Sequence, residues 1–390
     1  MRQTQGKQDV TTPGLVAGPR WPGPGRLQAC HFHRPLGTLC AKTPGGQNCR
    51  EKRGAKGDKV LAQEEFGTAP DGSPVMRVTL DRAGTTARLM SWGASLQELR
   101  IEGVAQSLVL GHPEFAPYPD HMRHFGGIAG PIANRIADGR APLNGRVVEL
   151  ERNEKGITAL HGGLGGTSLS NWTVDSADET SVTFLRSHPD GAGGLPGPVH
   201  LRATYSLDAD GALRLEIEGT ADQDSFCNPA HHSYWTLGPE TVAEHGLQIE
   251  ADTYLPVDDR LIPLGAPADV AGTRFDFRGT RKVVEQGDGL LDHNFCLRPA
   301  DGLRRVCTLR GSLAELVIET DQPGLQVYDG SGLKPQSGHD ARSYGPYAGI
   351  AIEPQHWPDA PNHADYPSIR LRPGETYQQV SRFHARKVQD

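Results

Sequence analysis

No run in this chain approaches the roughly 18 consecutive apolar residues of a membrane helix, and the N-terminal residues hold no apolar segment of the kind a secretory signal requires. A cytoplasmic protein with no membrane partner is the expectation. No CxxC occurs among the six cysteines, so the common zinc and dithiol signatures are absent. In a reducing compartment Cys30, Cys40, Cys49, Cys227, Cys296 and Cys307 are expected as free thiols. No long stretch keeps a helical period, which argues against a helix bundle or an alternating βαβ fold. What the chain has in abundance is turn chemistry: 48 glycines and 30 prolines suit many short strands.

Charge is unevenly spread. Residues 1–59 carry 11 Lys/Arg and 3 Asp/Glu, net +8, and the remainder carries 29 and 44, net −15. The acidic remainder argues against nucleic acid as a partner. Sixteen of the first 59 residues are Gly or Pro, so residues 1–59 read as a disordered basic tail. An upstream start codon would equally account for them. Residues 60–390 read as a single domain, without an internal repeat or a linker.

Alternation within that region is strong. Val199, Leu201, Ala203, Tyr205 and Leu207 alternate with His200, Arg202, Thr204 and Ser206; after the turn Asp208-Ala209-Asp210-Gly211, Leu213, Leu215 and Ile217 alternate with Arg214 and Glu216. This predicts an antiparallel hairpin with one wet face. Shorter runs at Val75–Leu80, Thr85–Leu89, Val182–Leu185, Leu316–Ile318 and Leu325–Tyr328 predict further strands, with turns at Leu143-Asn144-Gly145 and Leu371-Arg372-Pro373-Gly374. The fold class is therefore all-β, one large antiparallel sandwich.

Polar clusters interrupt these strands. The segment 349–363 starts as a buried strand through Ile350 and Ile352, and Pro354 is expected to end it just after Glu353. A carboxylate left there, partly desolvated, suits a general base, or else a structural strand-end acid. Gly126-Gly127 and Gly130 precede Asn134-Arg135-Ile136, but no Lys-Ser/Thr follows and a phosphate loop is disfavoured. Arg135 could bind an oxyanion or a sugar hydroxyl, or simply pair with an acid. His161 opens a run of four glycines around Leu164, where a ligand could approach the backbone. His231 and His232 in a strand point to opposite faces, which makes joint metal ligation awkward. Asp292-His293-Asn294 and Gln326-Val327-Tyr328 complete the set.

Taken together in this order, the motifs resemble the aldose 1-epimerase (galactose mutarotase) family over roughly residues 60–387. Asn134-Arg135-Ile136, Leu160-His161-Gly162-Gly163, His232-Ser233-Tyr234-Trp235, Asp292-His293, Gln326-Val327-Tyr328, and Glu353-Pro354-Gln355 with Pro358-Asp359-Ala360-Pro361-Asn362-His363 carry the resemblance. It implies a β-supersandwich with an open sugar cleft. Glu353 would be the general base and His232 the general acid. Arg135, His161, Asp292 and Gln326 would bind sugar hydroxyls, with Asn134 and Tyr234 nearby. The chain departs from the pattern at Pro131, His231 and Thr167, and these are expected to alter the cleft wall.

The implied reaction opens an aldose ring and recloses it as the other anomer. Two proton transfers suffice, so no cofactor and no metal is expected. His232 would start protonated, helped by a carboxylate neighbour. The partner would be a small sugar, an aldohexose or aldopentose, and the protein a monomer or homodimer. The alternatives are a non-catalytic carbohydrate-binding sandwich, a hexose-6-phosphate mutarotase and a metal-dependent sandwich enzyme.

Overall fold

A computed structural model describes residues 63–389. The expected tail, residues 1–59, lies outside them, with Cys30, Cys40 and Cys49.

Strands dominate the described residues, and the helical elements among them are 3-10 turns of three residues. The alternating hairpin forms as expected. Val199–Leu207 pairs with Leu213–Ala221, closing at Leu207 opposite Leu213, with its apolar residues buried and its charged ones outward. These two strands lie inside a nine-stranded sheet. Its order runs Thr173–Ala177, Ser181–His188, Val199–Leu207, Leu213–Ala221, Tyr377–Lys387, Ala314–Thr320, Arg304–Arg310, Gly246–Ile249 and Arg281–Lys282. A four-stranded sheet holds Gln63–Thr68, Pro74–Arg82, Thr85–Met90 and Ser95–Ile101. Asn144 and Gly145 both have positive φ, 53° and 73°, and link Arg140–Leu143 to Arg146–Glu149 in a two-residue hairpin turn.

The sheet that positions the site has six strands, in the order Tyr234–Trp235, Ile350–Gln355, Gly324–Tyr328, Asp292–Leu297, Ala251–Tyr254 and Ala268–Asp269. One face packs on the core. Trp235, Ile350, Ile352, Leu325, Val327 and Phe295 join the same buried cluster as Leu201, Leu215, Ile217, Leu316 and Phe383 of the nine-stranded sheet. Trp235 stacks on Phe383 with ring centroids 5.3 Å apart. Cys227, Cys296 and Cys307 are free and buried.

One local expectation is overturned. Pro354 does not end its strand. Ile350–Gln355 continues through it, with Leu325 opposite Pro354 and Gly324 opposite Gln355. The neighbour on the other side, Tyr234–Trp235, reaches only Ile350 and Ala351. At Pro354 the strand is therefore an edge on that side, where a missing N–H costs no ladder bond. Its carbonyl still accepts from Gln379 Nε2 at 2.9 Å. Glu353 consequently sits within a sheet rather than at a strand end.

Candidate active site

Register assembles the site. Residues directly opposite in an antiparallel pair share a face, as do residues two apart in one strand. Glu353 lies opposite Gln326, which lies opposite Asn294; Tyr328 lies opposite both Asp292 and Ala351, and Ala351 opposite Tyr234. The side chains of Tyr234, Glu353, Gln326, Tyr328, Asp292 and Asn294 therefore share the face away from the core. Above it opens a cleft of about 550 Å³.

Loops supply the other wall. The short strand Arg135–Ile136 pairs with Ala159–Leu160, which brings Arg135 opposite Leu160 and places His161 beside Asn134. Asn134 and His161 both have positive φ, 60° and 51°, and the Asn134 backbone N–H donates to His161 Nδ1 at 3.1 Å. Gly162 has φ 79°, and a Cβ there would lie 2.1 Å from the Gly130 carbonyl oxygen, so the turn after His161 needs glycine. The loop 359–363 clamps the same region. Asp359 N–H donates to the Arg135 carbonyl at 3.1 Å, and Ala137 N–H donates to Asp359 Oδ1 at 2.9 Å.

Of the eight residues singled out from the sequence, Asn134, Arg135, His161, His232, Tyr234, Asp292 and Glu353 line the cleft. Gln326 stands behind Asp292 and donates to its Oδ1 at 2.6 Å. Arg135 is held by Glu154, which accepts from Nε at 2.8 Å and from Nη2 at 2.9 Å, while Nη1 is 3.4 Å from Asp292 Oδ2. His232 Nε2 lies 3.6 Å from Glu353 Oε1, and the two side chains are 7% and 2% exposed.

Burial decides the protonation of this pair. It raises Glu353 well above the ordinary carboxylate range, with Asp292 adding to the rise and Arg135 opposing it. It lowers His232 to about 4. The expectation that a carboxylate raises His232 is thus corrected: its carboxylate neighbour is Glu353, itself raised by burial, and desolvation sets the lowered value against a backbone hydrogen bond alone. His161 is also held neutral, chiefly by burial. Its Nδ1 accepts a backbone N–H, so its proton is on Nε2.

His231 points the other way. It packs into the core between Tyr205 and Phe383, with Nε2 3.0 Å from Ser233 Oγ. His231, Pro131 and Thr167, the departures from the family pattern, do not themselves line the cleft. Thr167 instead donates from Oγ1 to the Ile128 carbonyl and accepts at its own carbonyl from Trp172 Nε1. His293 likewise faces the core, 4.5 Å from Phe275 between ring centroids.

Sequence reasoning missed His124, Glu154 and the rim residues Leu261, Leu290 and Ser331. His124 had one usable signal, its place just before the paired glycines Gly126-Gly127. Among the described residues no group of three or more His, Cys, Asp or Glu is placed to hold a metal ion, and no helix is long and apolar enough to cross a membrane.

Comparison with known proteins agrees with this architecture. The aldose 1-epimerase family model matches residues 76–384. The galactose mutarotases of Homo sapiens and Rattus norvegicus are each 36% identical over 335 residues, spanning 82% of this chain and 96% of the relative. The aldose 1-epimerase of Escherichia coli is 34% identical over 305 residues, 74% of this chain and 87% of the relative. The crystal structure of a GalM/aldose epimerase homologue from C. elegans superposes with a TM-score of 0.76 at 30% identity, covering 80% of this chain and 99% of the other. Galactose 1-epimerase from Lactobacillus acidophilus gives 0.74 at 28% identity, covering 84% and 100%. With the family's motifs gathered around one cleft of an antiparallel sandwich, and with relatives matched over nearly their full length, the chain belongs to the aldose 1-epimerase family of isomerases.

Proposed function

We propose that this protein interconverts the α- and β-anomers of free aldoses such as galactose or glucose, with Glu353 as general base and His232 as general acid. The observation that carries the reading is the buried pair itself, a carboxylate and an imidazole 3.6 Å apart on one cleft wall. Both shifts favour the neutral forms, so at neutral pH the pair holds one proton. In the reactive form that proton is on His232. Glu353 takes the proton of the anomeric hydroxyl while His232 delivers its own to the ring oxygen. The C1–O5 bond breaks and the aldehyde forms. The pair now has its proton on Glu353 and a neutral His232, which is the form that burial favours. Rotation about C1–C2 presents the other carbonyl face. The O5 proton returns to His232 and Glu353 protonates the carbonyl oxygen, restoring the starting state. Arg135, His161, Asp292, Asn134 and Tyr234 hold sugar hydroxyls, and Gln326 orients Asp292.

A binding module would not need a matched acid and base, which favours the enzyme over the carbohydrate-binding alternative. The test is polarimetry of freshly dissolved α-aldoses. Glu353→Gln and His232→Asn should each lower the catalysed rate about 1000-fold, with sugar affinity kept within about tenfold. Either variant keeping wild-type turnover would remove that residue from its role.

A further inference from the structure

Among the described residues, His124 is the one imidazole lining the cleft that the proposed reaction leaves without a task. It sits in a loop bonded directly to the backbone of the proposed acid: Gly126 N–H donates to the His232 carbonyl at 3.0 Å, and His232 N–H to the Gly127 carbonyl at 2.8 Å. Its backbone has φ 70°, and Gly127 N–H closes a turn onto its carbonyl at 3.0 Å. The His124 ring centroid lies 4.9 Å from that of His161 and 6.0 Å from that of His232.

A neighbouring hydroxyl selects its tautomer. His124 Nδ1 lies 2.7 Å from Oγ of Ser168, a buried residue. A buried hydroxyl must place its proton, and Nδ1 is the acceptor within reach. Ser168 therefore donates, Nδ1 accepts, and the proton of neutral His124 is on Nε2. Burial, with His232 and Arg123 beside it, keeps the ring neutral by holding its pKa at about 3. His161 carries its proton on Nε2 for the equivalent reason, the Asn134 N–H at its Nδ1. Two neutral imidazoles, both lining the one cleft, thus each carry an N–H donor on Nε2.

We propose that His124 is a sugar-binding residue, its Nε2–H and that of His161 donating together to the two lone pairs of one hydroxyl oxygen beside the reacting end of the aldose. His161 lies nearer His232, at 5.3 Å between centroids, than His124 does. The cradle therefore reads a hydroxyl next to the C1–O5 unit rather than a reacting oxygen. A site built to donate to a hydroxyl rejects the analogue lacking it, because its donors are then left unpaired. His124 is a selectivity determinant of the cleft, and the inference rests on the mutarotase reading above.

The experiment compares wild type with His124→Phe, which keeps a ring against His161 but removes the donor. The substrates are galactose, glucose and their 2-, 3-, 4- and 6-monodeoxy analogues, followed by polarimetry. His124→Phe should lower kcat/KM for the parent sugars about tenfold. For one deoxy sugar, already impaired in the wild type, it should cost less than about twofold. Ser168→Ala should give a smaller loss with the same selectivity, and His124→Gln, which restores an N–H donor, should recover part of it. An equal loss across the whole panel, or none, would overturn the proposal, the former showing a purely structural role. If the wild type leaves every rotation unchanged, the mutarotase reading fails by itself. The same panel is then read by calorimetric sugar affinity, where the same pattern supports His124 and a uniform one overturns it.

Discussion

At the scale of the residue, the chemistry rests on environments rather than on residue types. Sixteen histidines are spread over the chain; among the described residues, only His124, His161 and His232 line the cleft. In the proposed reaction the pair His232–Glu353 works when it holds one proton. Below about pH 4 both members are protonated, since His232 is held near that value and Glu353 lies above it. Above the raised value of Glu353 the pair holds none. The profile of kcat/KM against pH should therefore be bell-shaped, with an acid limb near 4 and an alkaline limb well above the ordinary carboxylate range. A single limb near 6.5 would contradict this. Arg135 allows a second expectation. Among the described residues it is the one Arg or Lys lining the cleft, and its Nε and Nη2 are taken by Glu154. A phosphate needs free cationic donors. Glucose should therefore have a higher kcat/KM than glucose 6-phosphate, and the reverse order would show a phosphate site.

Individual elements carry the positioning. The strand Ile350–Gln355 buries Ile350 and Ile352 on one face and turns Glu353 to the other, so one alternation serves both stability and function. The loop after it acts as a clamp. Asp359 has φ 57° and accepts from Ala137 N–H and from Asn362 Nδ2 at 2.7 Å, while its own N–H holds the Arg135 carbonyl. Asp359→Ala should free the Arg135 segment. KM should rise about tenfold with kcat changed less than about threefold, because the proposed reaction gives Arg135 a sugar hydroxyl to hold and no part in proton transfer. Steady-state kinetics checks this; a KM left unchanged alongside a lower Tm would reduce the clamp to a stability role.

The whole molecule shows the cost of so many buried imidazoles. His124 and His231 are held at about 3, and His232, His293 and His356 at about 4, in each case first by burial. Unfolded, each returns to about 6.5. Between these values the unfolded chain binds more protons than the folded one, so stability is fully present above pH 6.5 and falls as pH drops toward 4. Glu353, Asp292 and Asp359 act oppositely, since their raised values favour the folded state at low pH, but these three are outnumbered by the five histidines. The Tm should be nearly flat from pH 7 to 8 and fall by at least about 5 °C between pH 7 and 5. A Tm that rises on acidification would contradict the neutral, buried state of these histidines.

Sequence alone determined the features set by periodicity and local chemistry. Alternation specified the strands Val199–Leu207 and Leu213–Ala221 with their faces, because a period of two is a local property. Asn144-Gly145 specified a tight turn for the same reason. Linear order carried the resemblance that pointed to Glu353 and His232 together. Only the tertiary structure decided the features that depend on strands distant in the chain. Pro354 continues its strand because the adjacent strand stops short, which no neighbour in sequence reveals. Glu353, Gln326 and Asn294 form one row through register between three separated strands. Glu154 meets Arg135 from 19 residues away, and Ser168 meets His124 from 44 residues away. The proton of the His232–Glu353 pair is likewise placed by desolvation, and desolvation exists only once the sheets have closed over the pair.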